Sequence, residues 1–71
     1  MIRIDKWSRH GVDRDGVHSL WRHEEKELEV RVEKFEDGTW DTLLNGRLIA
    51  NRDEPPEASE RARELMEELS G

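Results

Sequence analysis

Residues 27–51 read ELEVRVEKFEDGTWDTLLNGRLIAN, and this stretch decides the fold. Leu28, Val30 and Val32 alternate with Glu29, Arg31 and Glu33, the period-two pattern of a strand with one buried side. Asp37-Gly38 marks a tight turn. Asn45-Gly46 marks a second, because both residues accept the positive φ of a type I′ hairpin. A two-residue turn at 45–46 pairs Leu44 with Arg47 and Thr42 with Ile49. A three-residue loop at 36–38 sets Val32 opposite Thr42 and Val30 opposite Leu44. One sheet face then carries Val30, Val32, Trp40, Leu44 and Ile49, while Leu43, Leu48 and Phe35 fall on the other.

Outward from this meander, Pro55-Pro56 ends the strands and pre-sets φ for a helical turn. Ala58, Ala62, Leu65, Met66 and Leu69 follow at i, i+4, i+7, i+8 and i+11, one apolar helical stripe. Toward the N-terminus, alternation predicts a strand at Ile2–Trp7. Gly11 to Gly16, with Asp13 and Asp15 between the glycines, has turn chemistry. His18–His23 is read as a second short strand whose adjacent Leu20 and Trp21 face opposite ways. The expected fold is α+β: a three- to four-stranded antiparallel β-meander with one C-terminal α-helix packed on one face. The expected organisation is a single domain over 1–71, with a strand/loop segment (1–26), the meander (27–51), a linker (52–56) and the helix (57–69). The candidate core is Ile2, Ile4, Trp7, Leu20, Trp21, Leu28, Val30, Val32, Phe35, Trp40, Leu43, Leu44, Leu48, Ile49, Leu65, Met66 and Leu69.

That inventory is short. Only 32 % of the 71 residues are hydrophobic, 42 % are charged and none is cysteine. A domain this small buries about 60 % of its unfolded surface, so it commonly needs a staple or a second subunit. The net charge is −6. Arg3, Lys6, Arg9, Arg14 and Arg22 face only Asp5, Asp13 and Asp15 among the first 23 residues, so the acidity lies in the remainder. The composition resembles that of haloarchaeal proteins, in which excess surface carboxylate is balanced by salt; a solubility surface on a protein from a GC-rich mesophile is the other reading. No stretch approaches a membrane span and no secretory segment opens the chain, so the expected location is the cytoplasm.

Candidate chemistry is sparse. His10, His18 and His23 are spaced for neither one strand face nor one helical face, and no metal site is expected. Asp13-Arg14-Asp15-Gly16 has the centre of a calcium loop, but the first ligand position falls on Gly11 and the closing acid on Arg22. No serine sits in a nucleophile motif, and the glycines form no phosphate loop. The expectation is a non-enzyme with no cofactor.

The segments Gly38-Thr39-Trp40 and Asn45-Gly46-Arg47-Leu48-Ile49-Ala50, followed by an Ala-striped helix, resemble the small strand-hairpin-helix domains of the YegP-like family over residues 28–69. The resemblance implies an intimate small-domain dimer and carries over no functional residue. The function expected is a protein-interaction module that self-associates or binds another protein, through Trp21, Phe35, Leu43 and Leu48. The alternative is a nucleic-acid-associated regulator that uses Arg3, Lys6, Trp7, Arg9, Arg14 and Arg22. The acidic body repels phosphate, which makes nucleic acid the less expected partner.

Overall fold

The computed structural model describes residues 3–10 and 17–70. After a 3₁₀ turn at Ile4–Lys6 come five strands, β1 (Trp7–His10), β2 (Val17–His23), β3 (Glu29–Lys34), β4 (Trp40–Leu44) and β5 (Arg47–Arg52), then helix α1 (Pro55–Ser70). The strands form one antiparallel sheet in the order β1-β2-β3-β4-β5. The meander thus has five strands rather than three or four. The count rises because both N-terminal strands join the meander, and β1 begins where the Ile2–Trp7 strand was expected to end. Lys6 N–H donates to Arg3 C=O at 3.2 Å, which closes a turn where alternation suggested extension, and Ile4 is left exposed. Ile2 and the Gly11–Gly16 turn lie outside the described residues.

The central register follows the turn chemistry. Val30 pairs with Leu44 and Val32 with Thr42 across β3–β4, and Leu44 pairs with Arg47 across β4–β5. Asn45 (φ 50°) and Gly46 (φ 82°) occupy the left-handed region that a type I′ turn requires. Asn45 also clamps this turn to β3: its Oδ1 accepts from Glu29 N–H at 2.8 Å and its Nδ2 donates to Glu27 C=O at 3.2 Å. At the opposite end, Phe35 N–H donates to Thr39 C=O at 2.8 Å around residues 36–38, with Gly38 at φ 89°. One pairing differs from expectation. Thr42 meets Ala50 rather than Ile49, because a bulge lies between Thr42 and Leu43 on the β4–β5 ladder.

Helix α1 lies on β3, β4 and β5. Its stripe of Ala58, Ala62, Leu65 and Met66 is buried with Val30 and Val32, and Trp7, Trp21, Trp40, Leu44, Ile49 and Leu69 pack around this centre. Two fully buried alanines let the helix approach the sheet closely. The fully buried Thr42 hydroxyl then reaches Ala58 C=O at 3.1 Å, which satisfies a polar group at the middle of the interface. Phe35 and Leu48, expected in the core inventory, are exposed on the sheet's other side.

Candidate interaction surface

The face of the sheet away from α1 is built by the alternate residues of each strand. Cross-strand partners share a face, so the ladders place His10, Leu20, Arg31, Leu43 and Leu48 in one row running across all five strands. A parallel row on one side holds Glu33, Asp41 and Asn51, and a row on the other side holds Ser8, Arg22 and Glu29. No described element covers these rows. Leu48 is 56 % exposed and Phe35, just beyond β3, is 50 % exposed.

Arg31 stands at the centre. Its Nε is buried and lies 2.9 Å from Glu33 Oε2, near enough for an ion pair but out of line for a hydrogen bond, so that N–H donates to no acceptor among the described residues. Beside it, Phe35, Asp37, Asp41, Leu48 and Asn51 line a shallow depression of about 250 Å³. Asp41 is 9 % exposed. Asn51 Nδ2 donates to Asp41 Oδ1 and to Thr39 Oγ1, each at 2.6 Å, and the Thr39 hydroxyl donates to Asp37 Oδ1. The Thr39 hydroxyl first, and its amide second, hold the Asp37 carboxyl below the ordinary carboxylate range. The depression therefore offers carboxylate fixed in place between two apolar walls. It suits a cation carried on an apolar stem.

Of the four residues expected at an interface, Phe35, Leu43 and Leu48 share this face. Trp21 does not. It pairs with Val30 on the helix side, half-buried, with the Arg9 guanidinium over its ring at 5.8 Å. The residues of the nucleic-acid alternative are dispersed. Arg22 is on the open face, and Arg9 is on the helix side. Arg3 pairs with Asp5 at 3.0 Å, and the Trp7 indole is tied to Ser70. Lys6 is half-buried in the 3₁₀ turn, and Arg14 lies outside the described residues. Sequence reasoning passed over Arg31, Asp41 and Asn51, since alternation marks them only as facing away from the core.

The histidines are separated. His10 is exposed on β1. His18 contacts Ser19 and stands edge-on to Trp40, with ring centroids 5.8 Å apart, while His23 is buried beside Trp7. Among the described residues, no three His, Asp or Glu side chains converge on a point that could hold a metal. No described helix is long and apolar enough to cross a membrane. No family model, curated protein or solved structure matches the chain.

Proposed function

We propose that the protein is a non-enzymatic interaction module of the cytoplasm that works by burying the open sheet face against another protein surface, in the first instance a second copy of itself. The observation that carries this reading is the distribution of apolar residues between two faces when one helix covers only one. Leu43, Leu48 and Phe35 lie together on the uncovered side, with Leu20 beyond Arg31 in the same row, and contiguous apolar surface of that kind marks contact sites. Burying a Leu or Phe side chain contributes roughly 1.5–3 kcal/mol, a large quantity for a domain of this size. The shallow, open form of the depression beside Leu48 fits recognition of a side chain better than enclosure of a reacting substrate.

The test is light scattering across a concentration series on the wild type and on the double variant Leu43→Asp, Leu48→Asp. The wild type is expected to associate and the double variant to be monomeric with its circular dichroism unchanged. A wild type that stays monomeric to millimolar concentration removes the reading.

A further inference from the structure

We infer that two copies pair through their open faces about a two-fold axis passing over Arg31, so that Arg22 of each copy enters the depression between Phe35, Asp41 and Leu48 of the other. The inference rests on the reading of the open face as a contact surface, and adds the occupant and its geometry.

The register supplies the argument. Arg31 pairs with Leu20 on β2 and with Leu43 on β4. Arg22 lies two residues from Leu20 along β2, on the side where it pairs with Glu29; Asp41 lies two residues from Leu43 along β4, on the side where it pairs with Glu33. Arg22 and Asp41 therefore stand at equal distances from Arg31 on opposite ends of one diagonal, each about 8 Å away given the usual strand spacing and rise. A two-fold axis in the plane of the face, perpendicular to that diagonal, exchanges the two positions. An isologous interface needs a patch complementary to itself under the axis, and this exchange sets cation on anion twice.

The chemistry of each end fits. Arg22 is exposed and makes no ion pair among the described residues. Its methylene stem matches the apolar walls formed by Phe35 and Leu48, and its planar fork matches a carboxylate already oriented by Asn51. On the axis, each Arg31–Glu33 pair meets its symmetry mate, giving a neutral group of four charges rather than two opposed cations. The buried Arg31 Nε, unsatisfied among the described residues, lies at this junction. An axis of this direction makes the strands of the two copies cross steeply, the orthogonal mode of sheet packing.

The chain contains no cysteine, so introduced thiols report alone. Arg22→Cys protein mixed with Asp41→Cys protein is expected to be joined by a short bis-maleimide at least tenfold faster than either variant is joined to itself, because the axis sets positions 22 and 41 of the two copies opposite each other at the usual sheet-packing distance of about 10 Å, while two copies of either position stay roughly 17 Å apart in the plane of the face. Arg22→Asp is expected to raise the dimer dissociation constant at least tenfold, and adding Asp41→Arg in the same chain to recover most of the loss. Arg22 and Asp41 are separated by the whole of β3, so recovery has to arise between chains. If Asp41→Arg fails to fold, the cross-linking rates decide alone. A dimer that is abolished by Leu43→Asp with Leu48→Asp, yet shows no preferred mixed cross-link and is indifferent to Arg22→Asp, overturns this geometry and leaves the open-face reading standing. A monomer throughout overturns both.

Discussion

Trp7 Nε1–H donates to Ser70 Oγ across 3.0 Å, joining the first residue of β1 to the last residue of α1 over 63 positions of sequence. The bond closes the fold end to end. The indole also packs against the core cluster and meets His23 edge-on, with ring centroids 5.1 Å apart. Ser70→Ala is expected to cost about 0.5–1 kcal/mol, since water reaches both groups and replaces part of the bond. Trp7→Ala, which also removes half-buried ring surface, should cost about 2–3 kcal/mol. Urea midpoints at constant slope measure both. A Trp7→Ala protein as stable as wild type would show that the N-terminal segment does not contribute to the folded core.

His23 holds a second closure. The residue is 5 % exposed. Glu25 N–H and Lys26 N–H both donate to Nδ1 at 3.1 Å, so Nδ1 is the acceptor, and Nε2–H is left to donate to Arg3 C=O at 2.8 Å. One tautomer alone meets all three partners. His23→Phe keeps an aromatic ring beside Trp7 but strands these backbone groups, at an expected cost of about 1–3 kcal/mol. Amide exchange at Glu25 and Lys26 should quicken more than exchange in β3. Equal acceleration everywhere would indicate global destabilisation instead of a lost local clamp.

These two closures mark the limit of what could be read from the chain. The pairing of Val30 with Leu44 and of Val32 with Thr42 was legible because each follows from a turn with specific chemistry, Asn45-Gly46 on one side and Asp37-Gly38 on the other. The Ala50 pairing was not, since Leu48-Ile49-Ala50 has no alternation from which to locate a bulge. Ile4 misled for the opposite reason: I-R-I-D has the period of a strand, but Arg3 C=O is taken by Lys6 and His23 in a turn geometry. Of the open face, Phe35, Leu43 and Leu48 followed from parity. Arg31 opposite Leu43 was implicit in the same register, but its buried Nε and the Asp41–Asn51 pairing required the structure, the latter because it lies beyond the bulge.

Asp37 gives a pH-dependent prediction. Its carboxyl is held low by the Thr39 hydroxyl and amide, so the folded state favours the charged form relative to the unfolded chain. A depressed folded value contributes stability that is present above the ordinary value of 3.8 and is lost as pH falls through the folded one. Thr39→Val removes the hydroxyl donor and should move the Asp37 titration upward, toward 3.8, in carboxyl NMR. The stability gap between wild type and variant should narrow as the solution is acidified below that value. A gap that widens in acid contradicts this assignment of donor and acceptor.

The helix surface supplies the last prediction. Arg61 lies 3.6 Å from Glu64 and 3.3 Å from Glu68, and Arg63 lies 3.4 Å from Glu60, leaving Glu57 and Glu67 without a cationic partner among the described ion pairs. The last turn of α1 contains no basic residue, so Glu67 and Glu68 stand at the negative end of the helix dipole. Both effects oppose folding in dilute buffer. Raising salt to 1 M shortens the Debye length to about 3 Å, which screens the dipole term and the exposed repulsion together. The wild-type midpoint should therefore rise in KCl. Glu67→Gln should raise the midpoint in dilute buffer by an amount equivalent to about 0.3–1 kcal/mol, or several degrees for a chain of this size. The two effects share one electrostatic origin, so they should not add: in 1 M KCl the variant and the wild type should melt together. A variant that keeps its full advantage in 1 M KCl would place the gain in helix propensity, and the salt response of the wild type would then need a source other than crowded carboxylates.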